Sequence, residues 1–119
     1  MNKRILIICR QAPYGSSLAR EAIDLALAIS IFEQKLSILF FGDGVLQLLK
    51  DQQSLALNMK NHGNVISAFP LYDINDIYID QRALSVRKIT EHDLLLTGKI
   101  LSTEKIANLI DQYDVVLNF

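Results

Sequence analysis

The run Arg4-Ile5-Leu6-Ile7-Ile8-Cys9 constrains this chain more than any other stretch. A strand with one face in water alternates apolar and polar residues. An unbroken aliphatic run is covered on both faces, as in the interior of a parallel sheet. Residues 11–17 then turn the chain, with Pro13, Gly15, Ser16 and Ser17 as breakers. From Leu18 the period changes. Leu18, Ala22, Leu25, Ile29 and Phe32 recur at steps of four and three, which predicts one buried helical face. Ser16 or Ser17 can cap that helix, and Glu21 and Asp24 put negative charge near its positive end. Strand, turn and helix make the first half of a βαβ unit, and the rest of the chain must pair with that strand or cover it.

The same alternation continues. Residues 36–41 predict a second strand, ended by Gly42-Asp43-Gly44, with a helix starting over 45–49 and Asp43 as its cap. Residues 50–60 are polar and glutamine-rich and read as a loop or frayed helix, and His62-Gly63-Asn64 reads as a further break. Residues 65–72 fit a strand or a short helix ending near Pro70, and the helix is the reading adopted. Ile77-Tyr78-Ile79 predicts the third strand, and residues 81–86 open a helix. Leu94-Leu95-Leu96 predicts the fourth strand, ended by Gly98. Residues 103–112 predict a helix capped by Thr103, with Ile106, Leu109 and Ile110 inward, and Val115-Val116-Leu117 the last strand. The expected architecture is therefore α/β: one flavodoxin-like domain over residues 1–119, a parallel sheet of about five strands with helices on both faces.

Twelve Lys and Arg against thirteen Asp and Glu leave a net charge of −1 without a run of either sign. That balance argues against direct nucleic-acid binding and against adhesion to anionic lipid. Half the residues are hydrophobic, and the mean hydropathy is +0.23. A domain this small buries only part of its surface, so the excess predicts subunit contacts. No stretch reaches the roughly eighteen apolar residues of a membrane span. The basic start at Lys3 and Arg4 leads into an apolar segment too short for a signal peptide. A single cysteine excludes an internal disulfide and a cysteine-based metal cluster, and a cytoplasmic location is expected.

Open parallel sheets carry function at the carboxyl ends of their strands, where strand order reverses. That rule selects residues 10–16, 42–44, 80–82 and 97–99. Each holds candidate chemistry beside a plainer reading. The 11–17 loop precedes a helix but has one glycine, and Gly98-Lys99 is followed by Ile100, so neither matches a phosphate-binding motif. Cys9 sits inside the apolar run, where a thiol behaves as a small hydrophobe. His62 and His92 lack a second histidine at ligand spacing. Asp43 and Asp80 end strands and can do acid–base work or cap helices. Arg10, Arg82, Arg87 and Lys88 can gather as a small anion site or remain solvated charges. No clear catalyst emerges, and no cofactor or metal is expected.

Several segments in order resemble the TusC, or DsrF-like, branch of the DsrE/DsrF-like family. They are Ala12-Pro13-Tyr14-Gly15 with Ala19-Arg20-Glu21, Phe40-Phe41-Gly42-Asp43-Gly44-Val45 with Gln47-Leu48-Leu49, Leu71-Tyr72-Asp73-Ile74, and the ending from Tyr113 to Phe119. The likeness runs over almost the whole chain. It implies a hetero-oligomer, a heterohexamer, with TusB-like and TusD-like subunits, a downstream TusE-like sulfur acceptor, and a relay toward 2-thiouridine at the tRNA wobble position. In the TusD-like subunit the accepting cysteine ends the third strand. The matching place here, Ile79-Asp80-Gln81-Arg82-Ala83-Leu84, has no cysteine. The resemblance thus implies a non-catalytic subunit, and leaves open whether Asp80 or the Arg10 and Arg82 neighbourhood assists the partner's cysteine. The competing readings are a free-standing domain that binds a small anion or nucleotide at Arg10, the 11–17 loop and Arg82, and an enzyme that uses Cys9.

Overall fold

The first strand, β1 (Arg4–Cys9), runs between two parallel neighbours, β2 (Lys35–Phe40) and β5 (Val115–Asn118), and its side chains are buried on both faces of the sheet, which accounts for its unbroken apolar sequence. The computed structural model describes residues 3–32, 35–50 and 57–119, the side chains of 57–61 excepted. Its sheet has five parallel strands in the order β4-β3-β2-β1-β5, with β3 at Asp76–Asp80 and β4 at Lys99–Leu101.

Strand order determines which face each helix covers. The steps from β1 to β4 all go one way, and the return to β5 goes the other. Right-handed crossovers therefore put α1 (Leu18–Ile31), α2 (Leu57–Ser67) and α3 (Gln81–Val86) on one face, and α4 (Thr103–Ile110) alone on the opposite face. The two cores reflect this division. Ile7, Cys9, Ile38, Phe40 and Ile79 pack with Ala22, Ile23, Ile66 and Leu84, whereas Leu6, Ile8 and Leu39 pack with Ile106. Alternate residues of one strand thus enter different cores.

Local chemistry differs from expectation in several places. In α1 the buried residues are Ala19, Ala22, Ile23 and Ala26, while Leu18 and Phe32 are exposed and Leu25 and Ile29 half-buried. Small side chains let the helix approach the sheet, and the larger ones flank the contact. Ser17 is the N-cap residue, but the Leu18 amide donates to Ser16 Oγ at 3.4 Å. After β2 the chain enters a 3-10 helix over Gly42–Leu48, and Asp43 does not cap it. His62-Gly63-Asn64 is no break but lies inside α2, because His62 is buried there with a polar partner. A second 3-10 turn, Phe69–Tyr72, follows α2. The expectation for residues 51–56 lies outside the described residues.

The fourth strand is displaced. Leu94 forms an antiparallel bridge with Leu49, and the Leu95 amide donates to the Leu48 carbonyl at 2.7 Å, so the leucine triplet closes the edge of the first core. Pairing with β3 passes to Lys99–Leu101. Gly98 marks the entry: a Cβ there would stand 2.9 Å from the Ile77 carbonyl oxygen, closer than a side chain tolerates. At α4, Ser102 rather than Thr103 is the cap, its Oγ accepting from the Lys105 amide at 3.4 Å.

Candidate functional site at the carboxyl ends of the strands

Three of the four selected places meet at one end of the sheet. Residues 97–98 instead precede β4 and lie toward its amino end, as the shift of that strand requires. The exits of β1, β2 and β5 are tied together by backbone hydrogen bonds. The Phe41 amide donates to the Cys9 carbonyl at 2.9 Å, and the Arg10 amide to the Phe119 carbonyl at 2.8 Å. Gly44 passes directly over β1, where a Cβ would fall 1.8 Å from the Cys9 carbonyl oxygen. Only glycine permits that crossing.

Asp80 is buried at the end of β3. Its Oδ1 accepts from the Arg82 amide at 3.2 Å and caps α3, and its Oδ2 accepts from the Gly42 amide at 3.2 Å. Each carboxylate oxygen is thus engaged by a backbone amide, and the residue staples the β2 exit to the β3 exit. Asp43 points elsewhere and forms an ion pair with Arg87, whose other terminal nitrogen donates to the Ala83 carbonyl. Of the four cations expected to gather, Arg87 is engaged in this way. Arg10, Arg82 and Lys88 are exposed.

Cys9 is 1% exposed, and burial pushes its thiol up to about 12. A thiol with so high a pKa is held in its neutral form at neutral pH. His92 lies exposed on a short 3-10 turn, Glu91–Asp93. Among the described residues, no group of three His, Cys, Asp or Glu side chains is placed to hold a metal ion, and no helix is long and apolar enough to cross a membrane.

A buried polar relay connects α2 with the loop after β1. His62 Nε2 lies 2.8 Å from Gln47 Oε1, and Gln47 Nε2 donates to the Gln11 carbonyl at 2.8 Å. Gln47 is wholly buried. Burial, with Arg20 adding to it and Asp24 opposing, lowers the His62 pKa. The sequence reads His62 as a turn residue and gives Gln47 a place in the family resemblance but no structural role. The available signal was a glutamine at the centre of the apolar stretch Val45-Leu46-Gln47-Leu48-Leu49. On the α4 face, Tyr113 donates to Ser37 Oγ at 2.7 Å, and Arg4 lies 4.8 Å from the centre of the Tyr113 ring. These contacts hold α4's exit to the sheet. The end of the sheet is therefore a rigid, hydrogen-bonded rim with exposed arginines, and its one cysteine is closed off.

With this fold and rim described, comparison with known proteins assigns the class. The profile of the DsrE/DsrF-like family matches residues 3–119, and the chain belongs to that family. Within it the chain is TusC-like. It is 34% identical over 117 residues to the protein TusC homolog of Pseudomonas aeruginosa, covering 98% of each chain. It is 36% identical over 118 residues to protein TusC of Buchnera aphidicola subsp. Baizongia pistaciae, covering 98% of this chain and 99% of that one. Among solved structures, the ychN protein of E. coli superposes with a TM-score of 0.82 at 22% identity, over 98% of this chain and 99% of that one. This last likeness concerns the fold.

Proposed function

We propose that this chain is a non-catalytic subunit of a sulfur-relay complex that leads to 2-thiolation of the wobble uridine in bacterial tRNA. It would act with TusB-like and TusD-like subunits in a hetero-oligomer, a heterohexamer, that passes sulfur on to a TusE-like acceptor. The closure of Cys9 carries the reading. A relay station needs a reachable thiolate that attacks the outer sulfur of a donor persulfide, releases the donor's thiolate, and then gives that sulfur up to the next thiolate. Here the only thiol is buried within β1 with its pKa raised to about 12. The place matching the TusD-like accepting cysteine, at the end of β3, holds Asp80 bound to two backbone amides. The identity to TusC proteins over nearly the full length supports the assignment to the relay.

The test compares a deletion with a point variant in cells. Deleting the chain is expected to abolish or sharply reduce wobble 2-thiouridine, measured by mass spectrometry of digested tRNA. Cys9→Ala is expected to keep normal levels, at a stability cost of about 1 kcal/mol for the small void. Lost thiolation in Cys9→Ala with the complex still assembled, or a persulfide trapped on Cys9, would overturn the reading.

A further inference from the structure

The loop that carries the chain from α3 to β4 folds around a hollow that the relay reading does not use. Its volume is about 310 Å³. The groove beside Arg10 on the α4 face holds about 160 Å³, and the one at the amino ends of β3 and β4 about 220 Å³. Small-molecule sites begin at about 300 Å³, so of these three only the hollow has room for a metabolite.

The hollow is built in advance of any ligand. The Leu95 amide donates to the Leu48 carbonyl at 2.7 Å, and the Lys50 amide to the Asp93 carbonyl at 2.8 Å. Leu49 and Leu94 form an antiparallel bridge beside them. Thr90 locks the turn, its amide and hydroxyl both donating to Asp93 Oδ2, at 2.9 and 3.1 Å. A site fixed in this way loses little entropy on binding.

Leu95, Leu96 and Ile100, partly buried at the edge of the first core, line the hollow with apolar surface. Lys50, Glu91 and His92 supply its polar side. Their side chains make no hydrogen bond or ion pair among the described residues. The Thr90 hydrogen bonds lower the Asp93 pKa, and His92 and Lys50 add to this, so both bases stand near one carboxylate. Lys50 offsets Glu91, and His92 stands against Asp93, which leaves both signs present and a net charge near zero. A phosphate or nucleotide would meet the two carboxylates, and a polyamine would meet Lys50. A ligand with one charge of each sign and an apolar remainder meets neither repulsion.

We propose that this hollow binds a free α-amino acid with a branched aliphatic side chain. The ligand's carboxylate takes the N–H donors of Lys50 and His92, its ammonium goes to Glu91, and its side chain lies on Leu95, Leu96 and Ile100. Lysine only donates and an ionised glutamate only accepts, so donor and acceptor roles fix the orientation. The site stands apart from the relay reading.

Equilibrium dialysis of the full-length chain against radiolabelled leucine tests it. Saturable binding of one leucine per chain is expected, with a Kd of about 1 mM. Two analogues, 4-methylpentanoate without the ammonium and 3-methylbutylamine without the carboxylate, are expected to compete at least about tenfold more weakly. Lys50→Met and Glu91→Gln are each expected to weaken binding about three- to tenfold. Glu104→Gln, an exposed carboxylate on α4, is expected to leave it unchanged. All three changes are on the surface, and circular dichroism would verify the fold of each variant. Absence of saturable binding overturns the proposal, as does either analogue or inorganic phosphate competing as well as leucine. Leucine binding that neither Lys50→Met nor Glu91→Gln weakens would place the ligand elsewhere and equally overturn it.

Discussion

Asp80 and His62 are buried polar side chains with different consequences. Each Asp80 oxygen accepts one backbone amide, so Asp80→Ala leaves two amides without their acceptor. Expected cost is about 1–3 kcal/mol, read as a lower urea midpoint. His62 responds to pH. Its pKa is lowered in the folded chain, first by burial and then by Arg20, from an ordinary value of about 6.5. The unfolded chain therefore binds the proton more readily than the native one, so stability is full above about pH 6.5 and declines as the pH falls below it. Thermal melts across pH 5 to 8 are expected to show that decline, and His62→Asn to flatten it. A melting temperature in the wild type that rises on acidification through this window would contradict the assignment.

At the scale of elements, the crossing of the 3-10 segment over β1 leaves the least freedom. A methyl group at Gly44 would occupy the space of the Cys9 carbonyl, which is itself bonded to the Phe41 amide. Gly44→Ala must move the segment or break that bond, and a loss of about 1–3 kcal/mol or more is expected in denaturant titration. Gly42→Ala meets no atom within 4 Å and supplies the control, though its φ of +55° adds strain of its own. The elements also show where sequence reading holds. β1, β2, β3, α3 and β5 lie within a residue or two of expectation, because each is a short apolar or capped segment whose signal is local. α1 was placed correctly but rotated, since hydrophobicity ranks leucine above alanine while close packing on a sheet favours the smaller residue. The fourth strand failed for a related reason. Three leucines are as good at sealing a core edge as at forming a strand, and only the pairing of Tyr78 with Lys99 decides between the two.

For the molecule as a whole, surface matters as much as core. Tyr14, Ile31, Phe32, Leu71 and Val86 are all exposed, in keeping with the apolar excess of the composition. Co-expression with TusB-like and TusD-like subunits is expected to carry the chain into a stable complex by size-exclusion chromatography with light scattering. With a net charge of −1 and no basic stripe, the isolated chain is expected to show no salt-sensitive affinity for tRNA by filter binding. Tight binding that weakens with salt would reveal a cationic cluster beyond the exposed Arg10 and Arg82.

The sequence by itself determined the α/β class, the burial of β1 and of Cys9 within it, the turn at residues 42–44, and the likeness to TusC. Each depends on residues adjacent in the chain or on their order along it. Tertiary structure alone decided that Asp80 bridges two strand exits and that Asp43 turns to Arg87. It alone also decided that Gln47 joins His62 to Gln11, and that a lone helix over the second face leaves a groove beside Arg10. Those outcomes depend on residues far apart in the chain, 44 positions in the case of Asp43 and Arg87. Buried polar atoms choose partners by distance once the sheet has formed, and a one-dimensional pattern does not contain that distance.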